Sequence, residues 1–229
     1  QKMAELGCDM ITVQGGEGGG HTGSVPTTIL LPQVLDAVNI PVIAAGGFAD
    51  GRGLAAALAF GACGIAMGTR FLLTSDSPVG DDVKQVYLGK GVNDTLRTTQ
   101  VDGVPHRVLR TEFIEALDRT GPVTSLPRAI SNAVRFKKLS GTPWSQIIRE
   151  GVAMHRSQEL SWSQVIMAAN TPMLLKASMV DGRPDLGVMS SGQVVGMIDD
   201  LPSVHELVQR LLTEAEEAAE LANGTKRVL

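Results

Sequence analysis

The sequence predicts an α/β fold with parallel strands. Residues 41–45 and 62–67 are short apolar runs of the kind found in buried strands, and residues 54–60 between them are good helix formers. A strand, a helix and a strand in this order pair in parallel through a right-handed crossover. Gly46-Gly47 ends the first run and Gly68-Thr69 follows the second, so both turns are expected at the carboxyl edge of one sheet.

The composition predicts a soluble globular protein with one large domain or two small ones. The chain has 229 residues, of which 43% are hydrophobic and 19% charged, and its net charge is −4. No cluster of lysine and arginine marks a nucleic-acid surface, and no apolar run has the length of a membrane span. Cys8 and Cys63 lie in apolar runs without CxxC spacing, which predicts buried thiols in a reducing, cytoplasmic compartment.

The chain begins in the middle of a structural pattern. Its first residues have the composition of a last helical turn that stops at Gly7 and leads into a strand. We therefore expect the chain to be the carboxyl part of a longer polypeptide, whose missing amino-terminal half is its partner.

The first strand is predicted at residues 9–13, which are mostly apolar and β-branched. Residues 14–23 follow, with six glycines in ten positions. Because glycine loses the most conformational freedom on ordering, such a loop is expected to hold a ligand. A helix is predicted over residues 28–37 from leucines and valines at helical spacing. Asp50 is the expected N-cap of the next helix, and Gly61 its stop.

The pattern is less regular after Phe71. Residues 121–183 carry scattered prolines and short helical patches, and they predict a small, mainly helical domain or insertion. The elements expected here are a short helix closing over residues 72–76, helices at 81–89 and at 111–119 with Thr111 as cap, a strand at 94–100, and helical patches at 145–154 and 161–169.

The end of the chain predicts an amphipathic helix that docks on the main domain. Ser203 and Glu206 have the spacing of a capping box, and Gly224 ends the pattern. One stripe at helical spacing is apolar and contains Val204, Leu207, Val208, Leu211, Leu212, Ala215, Ala219 and Ala222. Just before this helix, residues 188–193 form a polar, glycine-containing stretch that is expected to return to the active-site end.

Two architectures fit these β/α units. A closed (β/α)8 barrel takes about 250 residues, so this chain would supply only its later strands. An open doubly wound sheet also fits the local pattern. Glycine turns on consecutive strands favour the barrel, because a phosphate site built from neighbouring late loops is typical of that fold.

The two glycine turns predict a cradle for a phosphate group. Glycine lets the backbone approach a ligand closely, and N–H groups at a helix start favour an anion. The alternative is two tight turns without a ligand, since isolated glycine motifs are weak signals.

Three motifs together resemble the nitronate monooxygenase family. They are the glycine-rich run from Gln14 to His21, the run from Pro41 to Gly47, and Met67-Gly-Thr-Arg-Phe71, and Ser190-Ser-Gly-Gln193 is similar to the closing segment of the family. The FMN-dependent enoyl reductase of bacterial fatty-acid synthesis shares these motifs. The resemblance is strong over residues 1–73 and 187–222 and weak over 100–186.

The resemblance implies an α/β protein with a (β/α)8 TIM-type barrel that carries FMN at its carboxyl face. Residues 1–100 would supply the later β/α units of the barrel, 101–187 a mainly helical substrate domain, and 188–229 a closing loop and a docked helix. A homodimer is an open alternative, and no metal is expected. The residues implied in FMN binding are Gln14, Gly19, Gly20, Ala45, Gly46, Gly47, Met67, Gly68, Thr69 and Gln193.

His21 matches the histidine that acts at the substrate in this family. Histidine titrates nearest neutrality, which suits a base that removes a proton beside a nitro or carbonyl group. The other histidines are expected to be solvated or structural: His106 in a polar loop after a proline, His155 on a helical patch and His205 in the capping box. Of these three, only His106 and His155 could approach a substrate.

The leading functional interpretation is an FMN-dependent oxidoreductase of a small-molecule nitronate, with His21 as base. The alternatives are an NAD(P)H-dependent FMN enzyme acting on an enone, enoyl or acyl-thioester substrate, a flavin-free phosphate-binding isomerase or lyase, and a non-catalytic binding module. Residues 101–110 and the region after them depart from the typical nitronate monooxygenase, which tilts the substrate towards an acyl thioester or enone.

Overall fold

The computed structural model describes residues 1–119 and 170–224, together with a few isolated positions between them. The chain divides into two compact units. The first contains Gln1–Pro78, Lys84–Asp94 and Ser191–Leu229, and the second contains Val79–Val83 and Thr95–Ser190. The helical patches expected at 145–154 and 161–169, and with them His155, lie outside the continuously described residues.

The helices and strands of the described part are numbered in chain order. The helices are α1 (Lys2–Glu5), α2 (Thr27–Leu35), α3 (Gly51–Phe60), α4 (Thr69–Leu72), α5 (Asp81–Leu88), α6 (Glu112–Arg119), α7 (Asn170–Leu175) and α8 (Val204–Ala222). The strands are β1 (Ile11–Gln14), β2 (Gly20–His21), β3 (Val42–Ala45), β4 (Gly64–Ala66), β5 (Thr95–Thr98) and β6 (His106–Leu109). A π-helical turn, Lys176–Val180, follows α7, and a 3₁₀ helix, Gln193–Met197, precedes α8.

The first unit is built on a parallel sheet with the strand order β1-β3-β4. Gln14 pairs with Ala45, and Ala45 pairs with Ala66, so the three strands end side by side. The predicted parallel strands are thus confirmed. Their core is aliphatic except for Phe48, and its buried residues are Leu31, Val42, Ala44, Phe48, Ala57 and Ala62.

The predicted ends of α3 and the docking of α8 are confirmed as well. The Asp50 carboxylate accepts the Gly53 N–H at 3.2 Å, and Gly61 has a left-handed φ of 104°. Helix α8 begins with the predicted capping box and packs on α3. At the contact the Glu214 carboxylate accepts the Gly51 N–H at 2.8 Å, while a Cβ on Gly51 would lie 2.3 Å from the Leu211 carbonyl oxygen. Only glycine permits so close an approach of the two helices.

The second unit contains an antiparallel hairpin of β5 and β6, in which Thr95 pairs with Leu109 and Thr98 with His106. Helix α6 begins as predicted, with the Ile114 N–H on the Thr111 hydroxyl at 3.3 Å. A separate apolar core fills this unit and contains Val101, Val108, Ile114, Leu117, Leu174 and Val188.

Three expectations were wrong. His106 lies in strand β6 and is 2% exposed, whereas a polar loop was expected, because its strand depends on pairing with β5 and not on a local pattern. Cys63 is exposed and Cys8 is half-buried, since both lie just before a strand and not within it. The short helix after Gly68 ends at Leu72 and does not extend to residue 76.

None of the helices in the described part of the chain has the length and hydropathy needed to cross a bilayer.

Candidate functional site

The glycine-rich loop after β1 is held by its own hydrogen bonds. The side-chain amide of Gln14 donates from Nε2 to the carbonyl oxygens of Gly19 at 3.2 Å and His21 at 3.0 Å. The Thr22 hydroxyl donates to the Gly15 carbonyl at 3.0 Å, and the Gly18 N–H bonds the same oxygen. Gln14 therefore shapes the loop, and its predicted contact with a flavin ring stays a prediction.

Glu17 fastens the loop to the beginning of α2. Its two carboxylate oxygens accept the Thr27 N–H at 3.1 and 3.0 Å, where the helix dipole favours a negative charge. The Thr27 hydroxyl lies 2.9 Å from both Glu17 Oε2 and the Gly46 carbonyl oxygen, so it links the loop to the turn after β3. The sequence predicted the loop that contains Glu17, but not the hydrogen bonds by which Glu17 caps α2.

The turn after β3 requires glycine. Gly46 and Gly47 both have a φ of 84°, a conformation that L-residues rarely adopt. A Cβ on Gly46 would lie 2.9 Å from the Gly15 carbonyl oxygen and 3.1 Å from the Gly18 nitrogen, so the turn packs directly against the glycine-rich loop. The Gly15 N–H in turn bonds the Ala45 carbonyl at 3.0 Å. Gly47 is exposed beside this contact.

The turn after β4 is open on one side and closed on the other. A Cβ on Gly68 would meet no atom within 4 Å, and Gly68 is exposed. Thr69 is buried, and its hydroxyl accepts the Gly192 N–H at 3.0 Å. Met67 is half-buried and packs against the core of the first unit.

The closing segment returns to the loop, as predicted. The Gln193 N–H bonds the Glu17 carbonyl at 2.9 Å. A Cβ on Gly19 would lie 2.5 Å from the Ser191 carbonyl carbon, so the two segments touch along their backbones. The first unit thus brings the backbone of Gln193, the glycine-rich loop and the two strand-end turns to one edge of its sheet.

His21 lies at the far end of the glycine-rich loop, directly after Gly20, whose φ is 75°. It is exposed, and its carbonyl oxygen is held by Gln14. The loop therefore fixes the backbone from which the imidazole projects. Its catalytic role stays a prediction.

An ion-pair network that sequence reasoning missed fixes the end of the closing segment. Arg70 is 3% exposed and donates to the Asp200 carboxylate at 2.8 Å and to the Leu73 carbonyl at 2.6 Å. Arg210 of α8 binds the other oxygen of Asp200 at 2.7 Å. The hydrogen bond from Arg210, followed by that from Arg70, lowers the pKa of Asp200 below its ordinary value. The sequence feature that could have indicated this network is the arginine at position 70, within the motif Met67-Gly-Thr-Arg-Phe71.

Comparison with known proteins adds the following. A family model described as nitronate monooxygenase matches residues 1–214. The chain is 56% identical over 215 residues to a protein of Rhodococcus jostii and 58% identical over 218 residues to one of Mycobacterium tuberculosis. Both are named (3aS,4S,5R,7aS)-5-hydroxy-7a-methyl-1-oxo-octahydro-1H-indene-4-carboxyl-CoA dehydrogenase. Each match covers 94% of this chain and 61% of the relative, so the chain spans less than two thirds of their length.

Two further proteins extend the comparison. A probable nitronate monooxygenase of Staphylococcus haemolyticus is 38% identical over 143 residues, which is 56% of this chain and 40% of that protein. The solved structure of FabK from Thermotoga maritima matches 98% of this chain and 60% of its own, with a TM-score of 0.73 and 31% identity.

Proposed function

Since the chain belongs to the nitronate monooxygenase family, whose fold is the TIM barrel, we propose that it is part of an FMN-dependent oxidoreductase acting on an acyl thioester. Its relatives are named as oxidoreductases, which weighs against the flavin-free isomerase or lyase and against a non-catalytic module. The acyl thioester was the alternative substrate in the sequence analysis, and it now replaces the nitronate as the leading one.

One observation carries this choice of substrate. The two relatives named as CoA-ester dehydrogenases match 94% of the chain, whereas the nitronate monooxygenase of S. haemolyticus matches 56%. More than a third of the chain is therefore shared with the former and not with the latter. We assign substrate binding to residues 101–187, where the sequence departs from the typical nitronate monooxygenase, because a region that varies within a family is where substrate preference resides.

The edge of the sheet in the first unit fits the phosphate of FMN. Gly46 and Gly47 both have positive φ, Gly47 is exposed, and the Cβ-free face of Gly68 borders open space. Such backbone can approach an anion within hydrogen-bond distance. The beginning of α2 is already neutralised by the Glu17 carboxylate, so a phosphate belongs at the strand-end turns and not there. Gly46, Gly47, Gly68 and Thr69 would hold it.

In the proposed reaction His21 removes the proton from the carbon next to the thioester carbonyl. The electron pair of that C–H bond forms the carbon–carbon double bond, and a hydride leaves from the adjacent carbon. FMN, when bound, supplies the two-electron oxidant that accepts this hydride. The chain's own contribution is to hold the imidazole at the end of a fixed loop, where it acts as general base.

Nitronate oxidation is the second candidate, favoured by the match of the family model over residues 1–214. A third candidate is a reaction in which NAD(P)H reduces the flavin and an enoyl thioester accepts the electrons. It is favoured by the motifs shared with the FMN-dependent enoyl reductase and by the structural similarity to FabK.

Anaerobic mixing separates the three reactions. The flavin-loaded protein is mixed with a saturated acyl-CoA, a nitronate, NADH or NADPH, and the flavin absorbance is followed. We expect the acyl-CoA to bleach the flavin faster than the other reductants. Bleaching by the nitronate alone would establish the second candidate, and bleaching by NADH or NADPH alone would establish the third.

A further inference from the structure

A serine, a histidine and an aspartate of the second unit form an array that the proposed function leaves without a role. Nε2 of the His106 imidazole lies 2.8 Å from the Ser190 hydroxyl oxygen, which is a hydrogen-bond distance. Ser190 is held beside β6, because it forms an antiparallel bridge with Val108 and the Leu109 N–H bonds the Met189 carbonyl at 2.8 Å. His106 and Val108 share one face of the strand, so the bridge places Ser190 diagonally opposite His106.

Asp102 completes the array on the other side of the imidazole. Its Oδ2 lies 3.8 Å from His106 Nδ1, which is an ion-pair distance and longer than a hydrogen bond. The Thr171 hydroxyl donates to the same oxygen at 2.7 Å, and the Val104 N–H donates to Oδ1 at 3.2 Å. Asp102 is 3% exposed, so the carboxylate is fixed and close to the ring in a poorly hydrated place.

Exposure is graded along the array. Asp102 and His106 are buried, while Ser190 is half-buried, so Ser190 is the least buried residue of the three. An imidazole gives or takes a proton, and a hydroxyl bonded to it can therefore act as donor or as acceptor towards a third group. This combination suits an oxygen atom of a ligand, whether a hydroxyl or a carbonyl. The chain continues from Ser190 through Ser191 into Gly192 and Gln193, the closing segment described above.

We propose that Ser190, His106 and Asp102 form a recognition site for a hydroxyl or keto oxygen on the acyl group of the thioester. Ser190 touches the substrate oxygen, whereas His106 and Asp102 are positioning residues that act through it. This proposal rests on the proposed function, since it specifies the acyl thioester as one that carries an oxygen besides the thioester carbonyl.

The test compares two saturated acyl-CoA substrates that are identical except for one hydroxyl group on the acyl ring. In the unaltered protein we expect kcat/KM for flavin reduction to be higher for the hydroxylated thioester by about tenfold to a hundredfold, the usual effect of a hydrogen bond that a site is built to make. Ser190→Ala should remove most of this preference and leave kcat/KM for the deoxy thioester within about twofold. His106→Gln should reduce the preference in the same direction. Calorimetric affinity of the flavin-free protein for the two thioesters repeats the comparison without turnover.

Ser178→Ala is the matched control. Ser178 is a fully buried serine of the same unit whose hydroxyl lies 3.2 Å from the Leu174 carbonyl oxygen, a structural contact. Its substitution should lower the unfolding temperature and affect both thioesters equally. The proposal is overturned if Ser190→Ala behaves like Ser178→Ala, or if the unaltered protein does not distinguish the two thioesters. Failure of the proposed function has a different signature, because then neither thioester reduces the flavin of the unaltered protein, and the recognition site falls with it.

Discussion

Substitution of Gly68 by alanine isolates the phosphate cradle from the stability of the fold. A Cβ at this position meets no protein atom within 4 Å, and the φ of −85° is one that alanine adopts without strain. The unfolding free energy of the flavin-free protein should therefore change by less than about 1 kcal/mol, the range for glycine and alanine at a helix N-cap. The added methyl group occupies the open side of the turn, where the phosphate is proposed to lie.

The loss of affinity can be estimated from one charge-assisted hydrogen bond. Such a bond contributes about 1.5–3 kcal/mol, so FMN should bind about ten to a hundred times more weakly. Riboflavin, which has no phosphate, should bind Gly68→Ala about as well as it binds the unaltered protein. Quenching of flavin fluorescence on titration gives both dissociation constants, and urea unfolding of the same preparation gives the stability.

Gly46→Ala is the contrasting variant. Its φ of 84° and the 2.9 Å approach of a Cβ to the Gly15 carbonyl oxygen place strain in the protein itself. We expect the flavin-free protein to lose about 1–2 kcal/mol of unfolding free energy from the left-handed conformation alone, with the backbone contact adding to it.

Unchanged FMN binding in Gly68→Ala would show that the turn after β4 holds no phosphate. Equal losses for FMN and riboflavin would show that the phosphate is not what the turn recognises.

Three further predictions concern single carboxylates and the proposed base. His21→Ala should keep FMN bound but slow single-turnover flavin reduction by about two to four orders of magnitude, and an unchanged rate in a fully loaded preparation would remove His21 from the mechanism. Glu17→Gln should lower the unfolding free energy by about 1 kcal/mol through the weakened cap of α2, while the exposed Glu5→Gln should not, as measured in urea. The pKa of Asp200 in the folded protein is lowered from its ordinary value of 3.8. Its contribution to stability is therefore complete above pH 3.8, and it is lost as the pH falls through the lowered pKa of the folded state. Asp200→Asn should therefore flatten the acid end of a stability profile, with the exposed Asp199→Asn as control, and identical profiles would contradict the assignment.

The parts of the first unit that could be predicted from the sequence are those with local causes. The Asp50 cap and the left-handed Gly61 lie within the ends of α3, and both were identified from neighbouring residues. The apolar run of β3 is mostly buried, as its composition indicates, whereas β4, expected to be buried as well, is half-buried at Gly64 and Ile65 and exposed at Ala66 because it lies at the edge of the sheet. The order strand, helix, strand also predicted that the two glycine turns lie together at the strand ends, which the structure confirms.

The parts that could not be predicted depend on partners far along the chain. Arg70 binds Asp200 across 130 positions of sequence, and no pattern around either residue names the other. His106 was assigned to a loop because a proline and polar residues precede it, whereas β6 forms through pairing with β5. Ser190 meets His106 across 84 positions. These contacts are products of the tertiary fold, so they required the structure.

The internal bonding of the glycine-rich loop has a consequence for how a flavin would arrive. Gln14, Thr22 and Glu17 bond the loop through protein atoms, so we expect the entropy of its glycines to be lost during folding and not during association. Amide hydrogens such as those of Gly16 and Gly18, which bond carbonyl oxygens within this region, should then exchange slowly with solvent deuterium before flavin is added. A flavin that meets a preformed loop associates at a rate limited by encounter and orientation, with no slow ordering phase in the binding trace.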